Sequence, residues 1–359
     1  MDLDLRRNCQ KFVPGHLPLA AGEEFARIAD YCRENNFVAD IYGKGDLISS
    51  FEKKVADLLG FEAACFMPSG TMAQQIALKI YSEITGNNTF AMHPTSHLEL
   101  HEQHAYAQLS NLKSVIVGDK SRQLIAKDIA ELKTRVSTVV IELPAREIGG
   151  QLPIWEELDS IKNIAKKSGI FLHMDGARLW ETKSFYQRSY QEICQGFDSI
   201  YVSFYKGIGA LTGAVLLGKT EFIEAARIWL RRFGGNLFQL HPYVASAAMR
   251  FDYAIALMPN YMKRAIEAYE ALKNIPGISF CPDPPQVNMF HLYFSASAER
   301  LTEARDQIAK EDKIWIANRF QITTLQNLSY TEIYVGDGLL KVENEDLINA
   351  FVKLIELAK

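Results

Sequence analysis

The chain has 359 residues, enough for two domains or for one large and one small. At 48% hydrophobic and 23% charged it has an ordinary globular composition, and a net charge of -4 gives no electrostatic reason to expect nucleic acid or an anionic membrane as partner. No apolar run approaches the roughly 18 residues of a membrane span, so no membrane partner is expected.

The opening residues, Met1 to Arg7, carry acids and no apolar core, which argues against a secretory signal. Gly22 to Cys32 has helical spacing, with Phe25, Ile28, Ala29 and Cys32 on one face. Phe37 to Asp46 reads as loop. Leu47 to Leu59 reads as a helix stopped by Gly60. Ala63 to Met67 has strand length, and Pro68-Ser69-Gly70-Thr71 turns from it into a helix over Met72 to Thr85. Strands are expected at 89–92, 114–117, 138–143, 170–174 and 199–202, with helices at 97–107, 125–136, 154–168 and within 190–194. Such βα alternation marks a mostly parallel sheet with helices on both faces. Further on, Gln239 to Lys273 reads as a long helix, with Met258-Pro259-Asn260 a candidate break in it, and mixed strands and helices follow. The expected division is an N-terminal arm or small-domain segment at 1–36, a large domain at 37–250 and a small C-terminal α+β domain at 251–359. The five cysteines are scattered and form no Cys-x-x-Cys, as expected for unpaired thiols in the cytoplasm.

Three places carry chemistry. Ser69-Gly70-Thr71 joins a strand to a helix N-terminus, where free N–H groups and the helix dipole hold phosphate. An ordinary N-cap is the plain alternative. His173-Met174-Asp175-Gly176-Ala177-Arg178 lies at the C-terminal end of a strand, where ligands of parallel sheets collect. There Asp175 could face a protonated pyridine nitrogen, or simply pair with Arg178. Lys206 lies in Ser203-Phe204-Tyr205-Lys206-Gly207, between two apolar runs. Burial there would favour a neutral amine able to form a Schiff base; a surface-loop lysine is the alternative. Taken together and in this order, a phosphate turn, an aspartate and a lysine are what pyridoxal phosphate requires. His93, His97, His101 and His104 cluster with Glu99 and Glu102. His97 and His101 have helical spacing for a shared metal, but no third ligand has an established spacing, so no metal is expected; His97 stacking on a cofactor ring is the other reading.

These residues resemble the L-threonine aldolase and β-eliminating lyase group of pyridoxal-phosphate enzymes. The likeness runs through Ala39-Asp40-Ile41-Tyr42-Gly43, Pro68 to Gln75, His97 to Glu102, His173 to Arg178, Ser203 to Ala210 with Gly213, and Phe233-Gly234-Gly235. The resemblance implies an α/β protein of pyridoxal-phosphate fold type I, with a mostly parallel seven-stranded sheet between helices and a smaller α+β C-terminal domain. It implies Lys206 as the Schiff-base lysine, Asp175 at the ring nitrogen, and His97 stacked on the ring and assisting proton transfer. Ser69, Gly70, Thr71, Arg178 and Ser203 would complete the cofactor set. Arg178, Tyr42, Arg7 and Glu102 become the substrate-binding candidates, with Tyr42 reaching from a partner subunit of a homodimer or homotetramer whose sites lie at subunit interfaces. The implied activity is cleavage of a β-hydroxy-α-amino acid, threonine, allo-threonine or a bulkier analogue, to glycine and an aldehyde. A β-eliminating lyase, an aminotransferase or a catalytically silent pyridoxal-phosphate binder are the alternatives.

The chain departs from the family pattern in four places. Arg6-Arg7-Asn8 stands for Arg-Ser-Asp, Leu143-Pro144-Ala145 for Asn-Thr-His, Asn236-Leu237-Phe238 for glycine and methionine-arginine, and Thr331-Glu332-Ile333-Tyr334 occupies the strand where an arginine is expected to bind the substrate carboxylate. Arg7, Arg146 and Arg319 are the arginines considered as replacements.

Overall fold

The structure is a computed structural model and describes residues 3–17 and 19–359, so Met1 and Asp2 of the acidic opening stretch lie outside the described residues. Its strands are β1 (Lys11–Phe12), β2 (Ala63–Met67), β3 (Thr89–Met92), β4 (Lys113–Ile116), β5 (Thr138–Glu142), β6 (Phe171–Gly176), β7 (Ser199–Ser203), β8 (Ala214–Gly218), β9 (Ile278–Cys281), β10 (Met289–Phe294), β11 (Ile314–Trp315), β12 (Gln321–Ile322) and β13 (Ser329–Tyr334). The described residues form two compact units, one of 19–147 and 152–256, the other of 3–17, 148–151 and 257–359.

The first unit is built on a seven-stranded sheet of order β2-β8-β7-β6-β5-β3-β4. β8 runs antiparallel to both of its neighbours, and the ladder from β7 to β4 is parallel. This is the mostly parallel sheet expected from the βα alternation, with the seven strands the resemblance implies. β7 and β8 are buried at every position, as strands covered on both faces must be, and their apolar runs follow from that. Helix Gly70–Thr85 lays Ala73, Ile76, Ala77, Ile80 and Tyr81 on the sheet against Cys65, Met67, Tyr201 and Leu216. Each fully buried isoleucine there contributes about 1.5–3 kcal/mol relative to exposure. Gly86 ends the helix in the left-handed conformation, with φ 64°, which costs glycine no Cβ clash.

The second unit pairs a four-stranded antiparallel sheet, order β12-β13-β10-β9, with helices Ala298–Glu311 and Asn344–Leu357. A small parallel β1–β11 pair packs beside them, with Cys9, Phe12, Ala309 and Trp315 in one buried cluster. Among the described residues, no helix is long and apolar enough to cross a membrane.

Three predicted helices differ. The stretch 97–107 is helical at His97–Leu100 and again at Ala105–Ser110, with Gln103 and His104 left-handed between them. That break lets Glu102 turn inward, where it is buried. The stretch 125–136 is helical over Ala126–Ala130 alone, started by Asp128 accepting from the Ile125 N–H at 2.9 Å. The candidate break at Pro259 does not occur: His241–Leu272 is one helix with the proline inside it. Proline costs about 3 kcal/mol in a helix interior. Phe251, Ala254 and Met258 before it and Tyr261, Ala265 and Ala268 after it are buried, so tertiary packing on either side outweighs that cost.

Candidate active site

Three parallel strands lie side by side, and residues toward their C-terminal ends are brought into register. Glu142 of β5 is in register with Asp175 of β6, and Asp175 with Tyr201 of β7. Asp175 is almost wholly buried and needs donors. Gln74 Nε2 donates to its Oδ2 at 2.5 Å, and the Ala177 N–H donates to Oδ1 at 3.1 Å. Gln74 is itself oriented, because its Oε1 lies 2.8 Å from His173 Nε2, while His173 Nδ1 lies 2.7 Å from the Ser199 hydroxyl.

Burial drives the His173 pKa down to about 3, so the ring is neutral. The donor directions then follow along the chain. Ser199 donates to Nδ1, Nε2–H donates to the Gln74 carbonyl, and the Gln74 amide donates to Asp175. The relay presents Asp175 with a donor and so favours its ionised, accepting form. Burial pushes the Asp175 carboxyl above its ordinary range; the charges of Lys206 and His97 and the Ala177 N–H act in the opposite direction.

Lys206 sits in the loop from β7 to β8, closed by the Phe204 N–H on the Gly213 carbonyl at 3.0 Å. Gly213 has φ 113° and an added Cβ would stand 2.2 Å from Phe66, so glycine is required there. The sequence suggested a buried lysine; its side chain is half-buried. Its charge still acts on both Asp175 and Glu142. Ser203, the last residue of β7, is fully buried.

At the Ser69-Gly70-Thr71 turn, Ser69 is the N-cap and accepts from the Met72 N–H at 3.3 Å. Gly70 opens the helix with its α-carbon pressed on β7, and a Cβ there would lie 2.0 Å from the Tyr201 hydroxyl. The ordinary cap is therefore present: the Ser69 side chain satisfies one of the N–H groups that a helix start leaves without an intrahelical partner.

His97 is half-buried, and its Nδ1 lies 3.0 Å from Glu102 Oε1. Glu102 is held in turn by Gln75 Nε2 at 3.1 Å. The His101 ring is 5.1 Å from that of His97, but its Nε2 turns to Glu147 at 2.8 Å. Arg178 is mostly buried and donates to Glu181 at 3.3 Å. Tyr42 is left-handed and half-exposed, its N–H on the Phe238 carbonyl at 2.8 Å and its ring edge-on to Phe238. Buried Asp40 fixes this loop, accepting from the N–H groups of Gly43, Leu240 and His241 at 2.8 Å each.

Of the other candidate arginines, Arg146 donates to Glu147 at 2.7 Å. Arg7 and Arg319 belong to the second unit. Arg7 is exposed beside Asp4 at 3.4 Å, and Arg319 is exposed with its carbonyl accepting from Thr331. Sequence reasoning assigned nothing to Gln74, His173 or Glu142. Two signals pointed to Gln74 and His173, and none to Glu142: the Gln74-Gln75 pair inside an otherwise apolar helix, and the i, i+2 spacing that puts His173 and Asp175 on one face of β6.

The chemistry of these residues would suit pyridoxal phosphate: an anion at the helix entry, where Gly70 carries no side chain, a ring cation at the accepting Asp175 and an aldehyde at the Lys206 amine. The seven-stranded sheet and these strand ends define the fold of type I pyridoxal-phosphate enzymes. Residues 32–297, most of the chain, match the beta-eliminating lyase family, and the chain belongs to it as a pyridoxal-phosphate-dependent lyase. A solved structure from Listeria monocytogenes EGD-E, a candidate L-allo-threonine aldolase, is similar with TM-score 0.93 and 40% identity over 99% of this chain and 98% of that one. Another from Exiguobacterium sp. 255-15, a candidate aromatic amino acid beta-eliminating lyase/threonine aldolase, matches with TM-score 0.92 and 37% identity over 98% and 99% of the two chains. The low-specificity L-threonine aldolase of Candida albicans is 29% identical over 67% of each chain.

Proposed function

We propose that the protein is a pyridoxal-phosphate-dependent aldolase that cleaves a β-hydroxy-α-amino acid, threonine, allo-threonine or a bulkier analogue, to glycine and an aldehyde. The observation that carries this is the Ser199–His173–Gln74–Asp175 relay, which orients an anionic acceptor within electrostatic reach of Lys206. The likeness to threonine aldolases supports the substrate class.

Lys206 would hold the cofactor through its amine, and Ser69, Gly70 and Thr71 would hold its phosphate. Ser203 and Arg178 would line it, and Asp175 would keep its ring nitrogen protonated. When bound, the cofactor supplies an electron sink for the carbanion left on Cα. The remaining work falls to the chain. Glu102 accepts the Nδ1–H of His97, which leaves Nε2 with a lone pair to take the β-hydroxyl proton. As the Cα–Cβ bond breaks, the hydroxyl oxygen becomes the aldehyde carbonyl, and Cα gains a proton to give glycine. Arg178 is the substrate-carboxylate candidate within this unit. Val38, Ile41, Tyr42 and Phe238 are all more than half exposed and apolar, and a second copy of the chain covering them would bring Tyr42 toward a neighbouring site.

The test is spectroscopic and chemical. Protein supplemented with pyridoxal phosphate is expected to show a visible band that Lys206→Ala abolishes, and to release glycine plus aldehyde from L-threonine or L-allo-threonine. Release of ammonia and an oxo acid would instead assign β-elimination, transfer to a keto acid an aminotransferase, and a band that no amino acid perturbs a silent binder. Absence of any band would sink the reading.

A further inference from the structure

A second carboxyl, Glu142, stands beside Asp175. The two lie in register on adjacent parallel strands, and in-register neighbours project to the same face of a sheet. Their hydrogen bonding is unequal. Asp175 receives two donors, from Gln74 and Ala177. Glu142 receives one on its side chain, the Arg146 N–H on Oε1 at 3.0 Å. Its other oxygen, Oε2, is sealed from solvent and has no hydrogen-bond partner among the described residues. The residue is otherwise fastened in place, since Gln123 Nε2 donates to its carbonyl at 3.2 Å.

The ionisable groups that act most strongly on Glu142 are Asp175 from β6, then Lys206 from the β7–β8 loop and, when its ring carries a proton, His97 from its short helix. The Arg146 guanidinium is engaged by Glu147. An ionised carboxylate with one bare, dry oxygen beside a second carboxylate is the costliest state this pair could take. A single shared negative charge is the stable arrangement, and the donors decide where it sits: on Asp175.

Resting on the pyridoxal-phosphate reading of the site, we propose that Glu142 is a positioning residue that holds the proton of a one-proton carboxyl pair, leaving Asp175 the single anion that meets a heteroaromatic ring cation. Burial and the neighbouring Asp175 push the Glu142 carboxyl up to about 7, so the pair changes charge close to neutrality. Binding and protonation are then linked. A cation lodged at Asp175 favours loss of the Glu142 proton, and ionisation of Glu142 strengthens the hold on that cation.

The pair is tested first in the cofactor-free protein by infrared spectroscopy. Wild type is expected to show a protonated-carboxyl band at pH 6 that titrates away near pH 7. Glu142→Gln, which keeps an acceptor for Arg146 and cannot ionise, lacks the band. Asp175→Asn removes the neighbouring charge and moves the midpoint down by about one pH unit or more. Pyridoxal phosphate affinity is then measured from pH 6 to 8.5. The wild-type curve is expected to diverge from that of Glu142→Gln by about tenfold across pH 7, the reciprocal effect of a shift of about one unit. No protonated-carboxyl band in the wild type, the same band and midpoint in Glu142→Gln, a midpoint unmoved by Asp175→Asn, or parallel affinity curves would each overturn the proposal. A wild type that titrates as expected but binds no pyridoxal phosphate would leave the carboxyl pair standing and remove the cofactor reading.

Discussion

His173 offers a direct measure of how much the relay behind Asp175 contributes to stability. Its ring is fully buried between the Ser199 hydroxyl and the Gln74 amide, and its pKa falls from 6.5 to about 3 because burial excludes the charged form. A group whose folded pKa is depressed contributes stability that is complete above the unfolded pKa and is lost as pH falls toward the folded one. The window therefore runs from about pH 6.5 down to about pH 3, and a full shift of this size corresponds to about 5 kcal/mol, read as an order of magnitude. Between pH 6.5 and 4.5, where the protein is more easily handled, about 3 kcal/mol of that loss is expected. The perturbation is His173→Gln, which keeps a donor and an acceptor and does not titrate. Urea unfolding of the cofactor-free protein, followed at pH 7, 6, 5 and 4.5, compares the two. Wild type is expected to lose stability more steeply on acidification, with the difference between the curves growing to about 3 kcal/mol. Differences between proteins at one pH are the quantity to read, since a chain of two compact units need not unfold in one step. Parallel wild-type and variant curves would refute the claim that a neutral buried His173 sets the direction of the relay.

Two further predictions probe the elements that place the site. Gly70→Ala puts a methyl 2.0 Å from the Tyr201 hydroxyl, and overpacking of this kind costs about 1–3 kcal/mol. The Tyr201 ring carbons Cζ and Cε2 would also lie 2.3 and 2.8 Å away, so adding Tyr201→Leu, which removes the ring, is expected to restore part of the loss; a double variant no more stable than Tyr201→Leu and Gly70→Ala combined additively would show that the contact is not the cause. Asp40→Ala strips the acceptor from the N–H groups of Gly43, Leu240 and His241, and is expected to cost about 2 kcal/mol and to raise protease sensitivity around Tyr42. Unchanged proteolysis in that loop would mean Asp40 does not hold it.

The elements were readable in the sequence where a local rule sufficed. Apolar runs between turns located the strands of the main sheet, and Ser69-Gly70 marked a helix entry through capping chemistry that depends only on neighbouring residues. Local rules failed where distant packing intervened. The proline at 259 stays inside a helix because buried side chains flank it, and the 97–107 stretch breaks where Glu102 turns inward toward Gln75 and His97.

The amino-acid sequence alone determined the chemical inventory and its order along the chain: a hydroxyl and glycine at a helix entry, an aspartate at a strand end and a lysine one strand later. Each is encoded within a few residues of itself. Tertiary structure alone decided the charge states. The groups that orient Asp175 lie 99 and 101 residues apart along the relay, from His173 to Gln74 and from Gln74 to Asp175. Glu142 meets Asp175 through strand register, which no short stretch of sequence contains. A carboxyl's proton is governed by what surrounds it in space, and here those surroundings come from three strands and two helices brought together by the fold.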